Sequence, residues 1–157
     1  MKHITMYTDG ACTGNPGPGG YGTVLLYNNT RKELSGGYRK TTNNRMEIMA
    51  ALAGLRSLKE TCRVILYSDS RYVVDAMSKG WAERWRAKGW KRSAKAHALN
   101  PDLWAEMLEL SDRHQIEYRW IKGHAGDPEN ERCDELAVTA AHETNLGRDD
   151  AYEARTG

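Results

Sequence analysis

The stretch that most constrains this chain is ITMYTDGACTGNPGPGGYG, residues 4–22. Ile4 and Met6 alternate with polar neighbours, the period of a strand with one buried face, and the strand runs into an acid, Asp9. The loop that follows is rich in glycine and proline and carries little side-chain bulk, so a charged ligand could approach its backbone closely. A carboxylate at the carboxyl end of a strand, opening on such a loop, has the form of a site. Residues 17–22 also fit G-x-G-x-x-G, but they lead into the strand TVLLY, not into a helix whose N-terminus could take a pyrophosphate. Pro18 removes a donor as well, so a dinucleotide site is not expected.

Around this stretch the pattern alternates between sheet and helix. Strands are expected over residues 3–8, 21–27 and 31–38, with Asn28-Asn29 as a turn and the third, most polar strand at a sheet edge. The cap signal TTNN precedes a helix over residues 46–58 that is apolar or small nearly all round and should be buried. Glu47 is its only charge before Leu55; it either closes a capping box with Asn44 or is a functional acid. The run VILY, residues 64–67, reads as a parallel strand buried on both faces. Asp69 follows it, either capping a helix over residues 72–77 or serving chemistry. If the first and fourth strands are parallel neighbours, Asp9 and Asp69 meet at one sheet end, where they need a cation or a shared proton.

Residues 79–95 hold seven basic side chains against the single acid Glu83 and interleave them with Trp81, Trp85 and Trp90. Trp81 and Trp85 lie four apart on one helical face, with Arg84, Lys88, Lys91 and Arg92 among the cations available to track phosphates; a surface helix with an aromatic seam explains the same residues. Asn100-Pro101-Asp102 opens a further helix, a strand is expected over residues 115–121, and the loop with Gly123, His124 and Gly126 leads into a last helix. Asp127 or Asn130 could cap that helix, and Asp134 sits early in it. The tail, residues 143–157, has only Leu146 and Tyr152 as anchors and is expected to be flexible.

A length of 157 residues suits one domain, here expected over residues 1–142, and no apolar run reaches the length of a bilayer span. Cys12, Cys62 and Cys133 form no C-x-x-C pair, so reduced thiols and a cytoplasmic location are expected, without membrane attachment. Asp9, Glu47, Asp69 and Asp134 come from four elements that the sheet reading lets converge at one end. Carboxylate oxygens select hard cations such as magnesium or manganese. Two such ions about 4 Å apart support in-line displacement at a phosphodiester.

On YTDGACTGNPGPGGYG, TTNNRMEIMAAL, YSDSRYV, the tryptophan-rich basic segment, NPDLW and KGHAGDPENERCDELA, in that order, the sequence resembles bacterial type I ribonuclease H. The resemblance implies an α/β fold, a five-stranded mixed sheet flanked by helices, and magnesium-dependent hydrolysis of the RNA strand of RNA/DNA hybrids, with manganese a possible substitute. It implies 5′-phosphate and 3′-hydroxyl ends and little sequence preference. It carries over Asp9, Glu47, Asp69 and Asp134 as metal ligands and His124 as a proton-handling residue on a mobile loop. Cys12, Asn15 and Asn43 would face RNA sugars, Thr42 and Asn100 a DNA phosphate, and the basic arm with Trp81 the DNA strand. A monomer is expected. Arg71 departs from the family pattern, standing where many relatives carry glutamine, and Asp127 stands where a neutral or basic residue is expected; either could alter substrate contact. A hybrid-binding module without turnover remains the alternative of a different class, and a two-metal nuclease with another substrate a third reading.

Overall fold

The computed structural model describes residues 1–156; Gly157, the last residue of the expected flexible tail, lies outside them. Three long antiparallel strands, β1 (Lys2–Cys12), β2 (Gly17–Tyr27) and β3 (Thr30–Thr41), form the expected meander. Helix α1 (Asn43–Arg56) then returns the chain to β4 (Cys62–Ser68), which lies parallel to β1. Helices α2 (Arg71–Ser78), α3 (Trp81–Ala87) and α4 (Pro101–Arg113) lead to β5 (Gln115–Trp120), parallel to β4. Helices α5 (Pro128–Ala141) and α6 (Asp150–Thr156) complete the chain. The sheet order is β3-β2-β1-β4-β5, a five-stranded mixed sheet.

Strand alternation divides β2 between two layers. Thr23 donates its hydroxyl to the carbonyl of Ala50 in α1, 2.6 Å away, while the neighbouring Gly22 lies against α5. The main core fills the α1 side, where Met6, Val64 and Leu66 from the sheet meet Ile48, Leu52, Leu55, Val73, Met107 and the fully buried Trp104. Helix α5 packs chiefly on β2, β1 and β3. Hence β4 is buried on one face, through Val64 and Leu66, whereas Ile65 and Tyr67 are only half-buried. The expectation of burial on both faces is corrected by where α5 lies.

The capping expectations change too, and the change frees both acids. Thr42, not Asn44, caps α1, its hydroxyl accepting from Arg45 N at 3.2 Å. Ser70, not Asp69, caps α2, accepting from Val73 N at 3.2 Å. Asp127 caps α5, accepting from the amides of Glu129 and Asn130 at 3.0 and 3.1 Å. Side-chain oxygens beside the acids therefore satisfy the first amides of α1 and α2, leaving Glu47 and Asp69 for other work.

The expected flexible tail is docked instead. Gly147 accepts from Arg39 N at 2.9 Å, extending the free edge of β3, and Glu153 pairs with Arg39. Asp149 is buried and receives Arg45 Nε and Nη2 at 2.8 and 3.0 Å and the Thr41 hydroxyl at 2.7 Å. Arg45, only 1% exposed, also pairs with Asp102 at 2.8 Å. A guanidinium at the base of an apolar helix needs counter-charges, and the tail supplies one of them.

Candidate active site

Register builds the site. Parallel pairing sets Thr8 beside Ser68, so Asp9 and Asp69 leave adjacent strands one residue further on, at the same sheet end. Glu47 reaches them from the second turn of α1, which packs on β1. One oxygen from each of Asp9, Glu47 and Asp69 falls within 4.8 Å of the others. Gly10 N donates to Asp9 Oδ1 at 2.9 Å and also to Glu47 Oε1. That approach requires glycine: a Cβ on residue 10 would lie 2.5 Å from Glu47 N and Met46 C.

The electrostatics are those of acids held against their repulsion. Asp9 is 5% exposed, and its carboxyl is pushed up to about 7, first by loss of hydration and next by the charge of Asp69. Glu47 rises well above the usual carboxylate range, again first through burial and then through Asp9 and Asp69. Asp134, half-buried on α5, stands outside the group of three, but its charge adds to the rise at Asp9. Three all-oxygen ligands at this spacing fit a hard divalent cation, which would discharge the repulsion that burial creates.

The flank of the site is formed by the β5–α5 loop. Trp120 Nε1 donates to the Asp69 carbonyl at 3.0 Å, and Ile121 N to the Ser68 carbonyl at 3.0 Å, which lash the end of β5 to that of β4. Gly123 then passes so close that a Cβ there would lie 2.6 Å from Asp69 Oδ2. His124 follows, exposed, with a left-handed φ of 55° and no hydrogen bond among the described residues. The roles of Gly10 and Trp120 are not legible from residue type, since Gly10 acts through its backbone amide and Trp120 through an indole N–H aimed at the backbone carbonyl of Asp69.

The proposed substrate contacts fall into two groups. Asn15 Oδ1 accepts from Asn43 N at 3.0 Å, and the Cys12 thiol lies 3.4 Å from the Thr41 carbonyl, so these three residues form a ridge beside α1. Thr42 adjoins that ridge as the α1 cap. Asn100 is buried, its Oδ1 accepting from Arg45 at 3.3 Å and its Nδ2 donating to the Tyr72 hydroxyl at 3.2 Å. The aromatic seam is present: Trp85 lies 6.4 Å from Trp81 and 6.1 Å from the core Trp104, centroid to centroid. The helix is short, however, and Lys88, Lys91 and Arg92 stand exposed on the irregular segment beyond α3, with Arg84 exposed within it.

A mixed five-stranded sheet with these acids at its parallel end is matched by a family profile as well as by geometry: the family model for RNase H covers residues 1–142. The chain belongs to the ribonuclease H family. It is 62% identical over 152 residues to the ribonuclease H of Rippkaea orientalis, a match covering 97% of this chain and 93% of that one. It is also 62% identical over 143 residues to the ribonuclease HI of a Synechocystis species, covering 90% and 89% of the two chains. Among solved structures, LC9-RNase H1, a type 1 RNase H with the type 2 active-site motif, superposes with a TM-score of 0.81 at 34% identity, over 99% of this chain and 81% of the other. The expected fold class and family thus hold.

Proposed function

We propose that the protein is an endonuclease that hydrolyses the RNA strand of RNA/DNA hybrids, with Asp9, Glu47, Asp69 and Asp134 holding two divalent ions, magnesium in the cell and manganese as a substitute. The observation that carries this reading is the meeting of three carboxylates within 4.8 Å at the parallel end of a ribonuclease H sheet. The ions would supply charge neutralisation at the phosphoryl oxygens and a lowered pKa for the attacking water. The chain's own part is to exclude water around Asp9 and Glu47, to fix both carboxylates on Gly10 N, and to present them ionised to the cations. Water adds to phosphorus as the 3′ oxygen leaves, giving 5′-phosphate and 3′-hydroxyl ends. The exposed His124 imidazole handles a proton during this exchange or during product departure.

Hybrid selectivity follows from reading two backbones at once. The ridge of Cys12, Asn15 and Asn43 faces the 2′-hydroxyls of the RNA. Thr42 and Asn100 hold a DNA phosphate, while Trp81, Arg84, Lys88, Lys91 and Arg92 follow the DNA strand. With contacts to sugar and phosphate alone, sequence preference is weak. We further propose a cytoplasmic monomer; no helix among the described residues is long and apolar enough to cross a membrane. The non-catalytic binding module is disfavoured, because binding alone gives no reason to gather buried acids at one point.

The test is cleavage of a strand-labelled hybrid beside duplex RNA, duplex DNA and single-stranded RNA, without added metal, with magnesium and with manganese. Metal-dependent cutting of the hybrid's RNA strand alone is expected. Binding without cutting under both metals would overturn the reading.

A further inference from the structure

Arg71 opens α2, two residues beyond Asp69, and its side chain is exposed. Its guanidinium carbon lies 3.9 Å from the centroid of the Trp120 ring, well inside the usual reach of a cation–aromatic contact. Trp120 is itself anchored through Nε1 to the Asp69 carbonyl at 3.0 Å. A short chain of contacts thus runs from the residue bearing one of the three acids, through the indole, to a flat cation at the rim of the site.

What distinguishes this cation is the partner it lacks. Among the described residues outside the basic segment 79–95, every other arginine engages a carboxylate, apart from Arg63, which engages the Gln115 amide. Arg71 engages neither; stacking occupies its face and leaves the donors along its edge free. A guanidinium has five such donors in a planar fork that matches two phosphate oxygens. Stacking restrains the long side chain in advance, so less conformational freedom is lost when an anion arrives.

We propose that Arg71, held on Trp120, is a phosphate-binding residue that grips a backbone phosphate of the strand lying over the acids. On the hybrid-nuclease reading, on which this rests, that strand is the RNA. The ligand class is a phosphodiester oxygen pair, and Trp120 is the positioning residue that fixes the fork. Asp69 supplies only its carbonyl to this arrangement; its carboxylate stays with the acid cluster.

The experiment is binding of a fluorescent RNA/DNA hybrid in EDTA over a series of salt concentrations, with magnesium-dependent cleavage of the same hybrid measured in parallel. Arg71→Gln should weaken binding about five- to tenfold near 0.1 M salt and make the salt slope shallower by about 0.7 to 0.9, the signature of one lost phosphate contact. Trp120→Leu should reproduce part of that loss, and adding it to Arg71→Gln should cost nothing further. Arg71→Lys should recover the slope but only part of the affinity, because it restores charge without the fork. Unchanged affinity and slope in Arg71→Gln would overturn the inference, as would weaker binding at an unchanged slope. A wild-type protein that binds the hybrid without cutting it removes the catalytic reading and leaves the Arg71 contact to be judged by the slope alone.

Discussion

Replacing Asp9 by asparagine should end cleavage and at the same time stabilise the metal-free protein. Asp9 is almost wholly buried, and its carboxyl is pushed from 3.8 up to about 7 by lost hydration and by the charge of Asp69. An acid with a raised folded-state pKa binds more protons folded than unfolded, so stability falls as pH rises from about 4 to about 7 and levels off above that. About three pH units at about 1.4 kcal/mol each put the cost of ionising Asp9 near 4 kcal/mol, and sharing of that repulsion with Glu47 brings the expected gain from Asp9→Asn to about 2–4 kcal/mol at pH 8. Asparagine keeps the volume and can still accept from Gly10 N. Urea unfolding in EDTA at pH 5 and pH 8 measures this directly. The wild type should lose stability between the two and recover it on adding magnesium, whereas the variant should change much less and respond weakly to the metal. A wild type equally stable at both pH values, or a variant less stable than wild type at pH 8, would refute the electrostatic account of the site.

Asp149→Ala should cost about 3 kcal/mol and lower the melting temperature by about 6–12 °C, since it strips a buried guanidinium of one of its two carboxylates; a calorimetric scan decides, and a shift below about 2 °C would mean that the tail does not bear on α1. Gly10→Ala should destabilise by up to about 3 kcal/mol, because its Cβ would meet backbone atoms of α1, and urea unfolding beside a cleavage assay should show both stability and activity falling. Lys91→Ala and Arg92→Ala, both exposed, should leave thermal stability within about 0.5 kcal/mol of wild type, weaken hybrid binding and flatten its salt slope; unchanged affinity at low and high salt would remove the basic segment from the interface.

Much of this molecule is written in local pattern. The meander, the buried α1, the polar edge of β3 and the positions of α4, β5 and α5 follow from period, turn residues and cap residues, which act within a few positions of one another. Motif order was enough to indicate the family, and the pairing of parallel strands to bring Asp9 and Asp69 together. Three features were not legible in the same way. The caps fell to Thr42 and Ser70, because each hydroxyl competes for the same amides with another capping side chain one or two residues away, Asn44 or Asp69, and only backbone geometry chooses between them. The extent to which β4 is covered depended on where α5 comes to rest, which nothing in VILY encodes.

The tail shows the division most clearly. Residues 143–156 are polar, and their composition reads as loose chain; yet Asp149 is buried because Arg45, more than a hundred residues earlier, has to be neutralised inside the protein. The sequence alone determined which residues can ionise, which segments prefer strand or helix, and which glycines leave room. Tertiary structure alone decided which charges would meet: Asp9 with Glu47 and Asp69, Arg45 with Asp149 and Asp102, and Arg71 with the face of Trp120. The physical reason is that hydrogen-bonding period and turn preference act over a few residues, whereas desolvation and Coulomb energy depend on distances that exist only once the chain has closed on itself.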